Sequence, residues 1–428
     1  MNVLIIGNGG REHALAWKAS QSALVEKIWV APGNAGTALE NKVNNITIHS
    51  NINTLIDFVQ KNKIGLTIVG PEIPLAGGIV DQFHRKGLVI FGPTQAAAQL
   101  ETSKSFCKAF LSRHSIPNAS FVTFKNQNDA LAYLSRQSQQ SFPIVIKASG
   151  LAAGKGVFIA QSLTEARDSV ISIMEGKQFG TAGQEIVIEK FLSGEELSFI
   201  AIVDGEHILP LAGVQDHKRL LNGDRGPNTG GMGAYSPVPR LLPGTLQEKI
   251  IAKIMHPTIS GLKAEGITYV GFLYAGLMIT PDNEPKVLEF NVRLGDPETQ
   301  PLMMRLHSDL IELILAALSG KLNQINSIMW DPRFALAVVM TAGGYPMTYN
   351  RGDIIEGLNH PLTSDIKIFH AGTQKNNDAI VTSGGRVLSV TALGTNLHDA
   401  QSKAYQIVNQ ISWPNCHYRD DIGYRAIS

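Results

Sequence analysis

Residues 2–20 read NVLIIGNGGREHALAWKAS, and this opening decides the fold class. Val3 to Ile6 is an apolar run too short for a helix, and it leads straight into a glycine turn, Gly7 to Gly10. From Glu12 to Ala19 the pattern is helical. A buried strand, a glycine turn and a helix make the first half of a βαβ unit, which builds parallel sheets. The pattern repeats: Ile64 to Val69 precedes a helical stretch from Ala76 to Lys86, and Leu88 to Phe91 follows as a further strand. A mostly parallel sheet places its ligand crevice at the carboxyl ends of the strands. The turns Gly7 to Gly10, Ala31 to Gly36, Gly70 to Pro74 and Gly92 to Thr94 are therefore expected to line one crevice.

Outward from this unit the organisation changes. A helix is expected over Ser103 to Ser112, a strand over Phe142 to Ala148, and a second strand over Val157 to Ile159 beyond the glycine-rich SGLAAGKG. Leu163 to Met174 is helical, so the segment reads as a small α/β lobe. Strands return from Glu185, then come a long polar, glycine-rich stretch between Gln215 and Pro237 and a helix near Leu246 to Glu265. Two strands, Gly271 to Ile279 and Lys286 to Val292, close this region. After Trp330 strands dominate, with one helix from about Leu397 to Gln410, and this reads as a separate C-terminal unit, α+β or barrel-like.

Composition narrows the function. A chain of 428 residues has room for about three domains. Hydrophobic residues make up 44% and charged residues 17%, the balance of a folded globular protein. With 37 Lys and Arg against 36 Asp and Glu, no overall field draws the molecule to nucleic acid or to an anionic membrane. Any phosphate site must be local. Cys107 and Cys416 are too few for a disulfide framework or a cysteine zinc site and suit a reducing, cytoplasmic compartment. The first residues lack the basic start of a signal peptide, and no apolar run reaches membrane-spanning length.

Three motifs carry chemistry. The turn Gly9-Gly10-Arg11 opens a helix, where backbone N–H groups and the helix dipole favour a phosphate, and Arg11 adds a cation. Glu12 stands where a dinucleotide fingerprint needs its third glycine, so the match is partial, and the turn serves equally as a tight corner of the sheet. Gly150 to Gly156 is not a P-loop: the spacing is short, and Gly156 replaces the Ser or Thr that would meet Mg²⁺. A glycine-rich hairpin can still fold over a triphosphate. Lys147, on the strand before it, points into the same space if alternation holds, or ends an edge strand in solvent. Glu289 and Asn291 are the sharper pair. Two residues apart on a strand, they share a face and present two oxygen ligands to a hard cation, with Arg293 continuing that face. The alternative is a polar face in solvent, against which Leu288, Phe290 and Val292 alternate as in a half-buried strand. The 215–237 stretch carries two Asp and several basic side chains, and a loop so long inside a domain is more often functional than idle.

Taken together, GNGGREHALAWK, APGNAGT, VGPEIPLAGG, FGPTQAAAQLETSK, KASGLAAGKGV, VIEKFLSGEELS, QDHKR, GPNTGGMGAYSP and LEFNVRLGDPETQ resemble the phosphoribosylamine–glycine ligase family, in order from Met1 to about Pro301. GRVLSVTALG near the C-terminus is similar as well. The resemblance implies an α/β multidomain ATP-grasp ligase of purine (IMP) biosynthesis. Its parts would be an N-terminal Rossmann-like substrate domain over 1–102, a catalytic core over 103–120 and 190–326, a mobile ATP lid over 121–189, and a C-terminal α+β barrel-like domain over 327–428.

By the same resemblance Lys104 and Lys147 contact ATP phosphates under a loop that includes Gly154, Lys155 and Gly156. Glu189, Lys190, Phe191 and Leu192 hold the adenine largely through backbone groups. Glu196 binds the ribose, with Glu195 as the neighbouring alternative. Glu289 and Asn291 hold Mg²⁺ or Mn²⁺, and Arg293 neutralises the transferring phosphoryl group. Gly9, Gly10, Arg11, Gly33 and Asn34 receive 5-phosphoribosylamine, while Asp216 and the 224–233 loop with Gly231 place amine and glycine. ATP, glycine and phosphoribosylamine are the implied substrates, with no nucleic acid or membrane partner and a monomeric chain. Three rivals are an ATP-grasp carboxylase, a nicotinamide-dependent oxidoreductase and a non-catalytic nucleotide sensor. The 215–237 loop speaks against the first, Glu12 against the second, and the presence of Lys104, Lys147, Glu289, Asn291 and Arg293 together against the third.

Overall fold

The computed structural model describes residues 1–49, 51–152 and 155–427. Its N-terminal strands β1 (Asn2–Gly7), β2 (Lys27–Pro32), β3 (Val43–Asn45), β4 (Ile64–Val69) and β5 (Ile90–Phe91) form one parallel sheet in the order β3-β2-β1-β4-β5. Val3, Leu4, Ile5 and Ile6 are all buried, as a central strand covered on both faces requires. The strand order reverses at β1, which lies between β2 and β4, so the turns after β1 and β4 flank the switch point. Gly7, Gly33 and Gly70 converge there: the Gly33 N–H donates to Gly7 O at 3.1 Å, and the Glu12 side chain lies over both Gly7 and Gly70. The fourth expected turn does something else. Gly92 and Pro93 pack on Gly271, where a Cβ would come within 2.9 Å of the proline ring, so this turn joins domains rather than lining the crevice.

The small lobe is the antiparallel sheet β6-β9-β7-β8, formed by β6 (Phe121–Phe124), β7 (Ile144–Ala148), β8 (Val157–Ala160) and β9 (Ile186–Lys190). It has its own core, in which Ile146, Ile188, Val170 and Leu134 are buried. The chain leaves it at Lys190 and enters β10 (Glu195–Asp204), which pairs with β11 (Ile208–Pro210). The stretch read as one polar loop contains β12 (Gln215–Asp216), β13 (Arg219–Leu221), β14 (Arg225–Asn228) and β15 (Gly233–Ser236). β16 (Val270–Ile279) and β17 (Pro285–Asn291) complete the central sheet, β11-β10-β16-β17. The long helix before β16 widens to a π turn over Ile251–Met255. Pro257 follows at once; it lacks an N–H and crowds the carbonyl four residues back, so the wider turn relieves the clash.

The C-terminal unit is not closed on itself. β18 (Phe334–Thr341), β19 (Ile366–His370) and β22 (Arg386–Gly394) form a sheet with β15 and β12 in the order β12-β15-β18-β22-β19, while β20 (Thr373–Asn376) and β21 (Ala379–Thr382) pair as a separate hairpin. The glycine-rich stretch is thereby built into the C-terminal sheet. A second tie reaches the N-terminal domain: the His370 N–H donates to His13 Nδ1 at 2.7 Å, and Asn34 Nδ2 donates to His370 O at 2.8 Å. His13 Nε2 then carries the proton that meets Glu40 at 2.9 Å.

Candidate active site

The crevice at β1 already holds a carboxylate. Gly9 N–H donates to Glu12 Oε2 at 2.6 Å, closing a capping box on the helix Gly10–Ser20, and Arg11 Nε donates to Glu12 Oε1 at 2.5 Å. Glu12 therefore replaces the third glycine of a dinucleotide fingerprint by a side chain lying in the turn that would cradle a pyrophosphate. Asn34, expected as a substrate contact, is buried and committed: Oδ1 accepts from the Gly36 and Thr37 N–H groups, and Nδ2 donates to Asn8 O and His370 O. Its side chain braces the turn. Gly33 sits beside it at φ +72°, where a Cβ would strike Asn45 Oδ1.

Arg11 and Arg293 meet across the domain boundary, because both donate to Leu294 O, at 3.0 and 3.1 Å. Two acids balance Arg293: Glu72 Oε2 lies 3.2 Å from Nε and Glu101 Oε1 2.9 Å from NH2. Burial opposes the charge, but Glu101 and Glu72 hold the guanidinium above its ordinary pKa. Arg293 NH2 also donates to Asn291 Oδ1 at 3.0 Å. Glu72 and Glu101 lie inside the motifs GPE and LETSK, but nothing in their local spacing ties them to an arginine some 190 or more positions away.

On the same face of β17 four cations act on Glu289. Burial pushes this carboxyl up, but Lys218, Lys147, Lys104 and Arg293 outweigh it and hold the pKa below the usual carboxylate value. A bulge falls where Gly276 faces Glu289 and Leu277 faces Val287, which leaves Leu288 as the extra residue. The Leu288 carbonyl accepts from Lys147 Nζ at 3.3 Å. Lys147 is buried rather than solvated and lies 3.1 Å from Glu189 Oε1. Lys104 follows the Ser103 N-cap of the helix Lys104–Arg113, and its Nζ donates to Gly150 O at 3.2 Å. Lys155 is exposed, and Gly156 is enclosed by Ala148 and Ala152, leaving no room for a Cβ; Gly154 lies outside the described residues. Lys190 is exposed, while Phe191 and Leu192 lie outside any strand between the lobe and β10. Glu196 meets Lys218 at 2.8 Å, whereas Glu195, pointing to the other face of β10, lines a cleft with Tyr235 and Arg240.

Asp216 is buried near Lys218, Glu196 and Glu298, and burial above all pushes its pKa up to about 8. The Asp216 pair with Ala234 on β15 fixes its strand. Gly231 takes φ +115°, and a Cβ there would come within 2.4 Å of Pro297. Arg386 enters from the C-terminal unit: NH1 bonds the carbonyls of Gly230 and Asp296, and NH2 lies 3.4 Å from the Asp296 carboxylate. Sequence reasoning missed Arg386 because only the fold brings β22 here.

His217 and His370 are neutral inside this scaffold. His217 Nε2 accepts from the Gly423 N–H at 3.1 Å, and burial, with Arg425 and Arg419, pushes its pKa down to about 3. Burial, with His13 and Lys367, brings His370 down to about 3 as well. The unfolded chain takes up these protons near pH 6.5 while the folded one does not, so stability present at neutral pH is lost as pH falls from 6.5 toward 3. Each histidine is expected to cost about 2 kcal/mol by pH 5. In a His370→Gln variant, the slope of unfolding free energy against pH between 6 and 4.5 should lose about one proton. An unchanged slope would remove His370 from this account.

A lysine cluster under a small antiparallel lobe, with a carboxylate and an amide on the facing strand, is the arrangement of an ATP-grasp ligase. The chain belongs to the phosphoribosylglycinamide synthetase family: the N-domain model of that family matches residues 1–101, the ATP-grasp (A) domain 102–299 and the C domain 335–425. It is 58% identical to a phosphoribosylamine–glycine ligase of Allochromatium vinosum and 56% identical to one of Vibrio vulnificus, in each case over 100% of this chain and 99% of the relative. The crystal structure of phosphoribosylamine–glycine ligase from Thermotoga maritima, 33% identical, superposes with a TM-score of 0.85 over 99% of this chain and 100% of that one. Among the described residues no helix is long and apolar enough to cross a membrane.

Proposed function

We propose that this chain joins glycine to 5-phosphoribosylamine at the expense of ATP, through glycyl phosphate, giving N1-(5-phosphoribosyl)glycinamide, ADP and phosphate in purine biosynthesis. The observation that carries the reading is the cluster of Lys104, Lys147, Lys218 and Arg293 about Glu289, beside the elevated carboxyl of Asp216. Lys104 and Lys147 hold the nucleotide phosphates. The glycine carboxylate attacks the γ-phosphorus, ADP leaves, and Arg293 faces the charge on the transferring group. The amine then attacks the acyl carbon, phosphate leaves, and Asp216, beside Lys218, takes the proton the new amide sheds. Arg11, with the Gly9–Gly10 turn and Gly33, faces the ribosyl phosphate, and the loop through Gly231 places glycine. The lobe over 121–189 excludes water from the acyl phosphate. We read residues 103–120 and 190–326 as the catalytic core, flanked by domains over 1–102 and 327–428.

Glu289 and Asn291 fit a hard divalent cation, Mg²⁺ or Mn²⁺: both offer oxygen on one face of β17. Among the described residues no three His, Cys, Asp or Glu form a metal-holding group, which suits an ion completed by nucleotide phosphates. When bound, such an ion neutralises phosphate charge. The Glu196 carboxylate, on the face of Lys218, is the ribose ligand in this reading, with Lys190, Phe191 and Leu192 lining the adenine. The enzyme acts as a cytoplasmic monomer.

The test is ADP release from ATP, Mg²⁺ and glycine, with and without freshly generated phosphoribosylamine, while product mass is followed. ADP and the glycinamide product are expected only when both acceptors are present. ADP release with bicarbonate instead would keep the fold class and overturn the substrates.

A further inference from the structure

One buried cation takes no part in this reading. Lys108 lies one turn beyond Lys104 on the helix Lys104–Arg113, with a side chain only 2% exposed, and its Nζ lies 3.2 Å from Glu189 Oε2. That ammonium makes no directed hydrogen bond, and neither does Glu189 Oε1. Lys147 approaches the same carboxylate at 3.1 Å. Two ammonium groups therefore share one buried carboxylate beside Cys107, itself buried.

An apolar side chain of similar length would spare the fold an amine that costs free energy to bury and gains no directed bond. The arrangement becomes intelligible once Lys147 has a second destination. If Glu189 had Lys147 alone, moving that ammonium to a phosphate would strand a buried carboxylate, and the pair would resist opening. With Lys108 in place, Glu189 keeps a cation whichever way Lys147 turns. Lys104 does not substitute: its Nζ lies at the Gly150 carbonyl and in this reading serves the phosphates.

We propose that Lys108 is a positioning residue that keeps Glu189 paired and so frees Lys147 to engage the nucleotide. The proposal rests on the reading of Lys147 as a phosphate contact. Three variants of the full chain test it: Lys108→Met, Lys108→Arg and Lys147→Met. In Lys108→Met, ADP binding by calorimetry should weaken about tenfold and the KM for ATP should rise in parallel, about 1.4 kcal/mol. The KM for glycine should hold, and the melting temperature should match or exceed wild type, because a buried amine has been removed. Lys108→Arg should recover affinity to within about threefold. A merely structural lysine would lower the melting temperature and raise both KM values together.

The proposal falls if Lys108→Met binds ADP within about twofold of wild type while Lys147→Met binds it weakly. It falls also if the KM for glycine rises as far as that for ATP. If Lys147→Met itself binds ADP like wild type, the phosphate reading of Lys147 fails and takes the proposal with it. Should Lys108→Met aggregate, Lys108→Gln fills the same space without charge and is judged by the same measurements.

Discussion

Glu289→Ala is expected to lower ligase turnover about a thousandfold or more while the chain still folds. The magnitude follows from what the carboxylate faces. Lys218, Lys147, Lys104 and Arg293 all act on it, and together they hold it ionised despite burial. Removing it takes the only carboxylate from the β17 face that Asn291 shares and leaves four cations without their common counter-charge. A divalent ion would then depend on Asn291 and on phosphate oxygens, and the lysines would repel one another. The backbone has less to lose, because β17 is held by its pairing from Tyr274 with Asn291 to Ile279 with Pro285, and Val287 and Phe290 stay in the core. Glu289→Gln keeps the shape and loses the charge, so it should fall nearly as far. ADP release at saturating substrates gives turnover, and circular dichroism melting gives the fold. Wild-type turnover at ordinary magnesium concentrations would remove Glu289 from metal binding.

That Glu289 and Asn291 share a face was legible because a strand has a period of two, and any bulge that preserved that stretch would keep them together. The bulge at Leu288 was not legible, since it depends on how β17 meets Gly276 of β16. The same division holds elsewhere. The parallel N-terminal sheet followed from short apolar runs ending in glycine, but the Gly92–Pro93 turn was placed wrongly, because its partner Gly271 lies in another domain. The 215–237 stretch reads as a loop because its strands are two to four residues long and carry little periodicity. What makes β15 a strand is pairing with β18 about a hundred residues later, and β12 in turn pairs with β15; a local pattern holds no trace of either. Asn34, which the family resemblance alone marks as a substrate contact, also commits four of its hydrogen bonds to backbone groups of this chain, a bracing role that its residue type does not reveal. The long-range ion pairs were the least legible of all: Arg293 finds Glu72 and Glu101, and Arg386 finds Asp296, only after three domains have packed.

Arg293→Met should lose both stability and turnover, and the two losses should separate in a double variant. The guanidinium lies against Glu72 and Glu101, and Glu101 Oε2 also accepts the Val292 N–H at 2.7 Å. Removing Arg293 leaves two acids facing one another in a poorly solvated boundary, a loss of about 3–5 kcal/mol for a broken buried pair. Burial already pushes the Glu101 pKa up, with Arg293 pulling against it and Glu72 adding to the rise. Without the arginine Glu101 should therefore hold a proton more readily, so the loss of stability grows as pH rises and the acid ionises. Adding Glu101→Gln to Arg293→Met removes the stranded charge while keeping an oxygen to accept the Val292 N–H. The double variant should regain most of the lost stability. Turnover should not return, because no remaining group in the β17 face supplies the forked cation beside Asn291; a deficit of about 10²–10³ should persist in both variants. Arg293→Lys should likewise keep the fold and lose turnover, since one ammonium cannot reach Glu72, Glu101, Asn291 and Leu294 O at once. Chemical denaturation against pH, run beside steady-state ADP release, distinguishes the two roles. Recovery of turnover together with stability in the double variant would make Arg293 a structural tie between domains and leave the transferring phosphoryl group to the lysines.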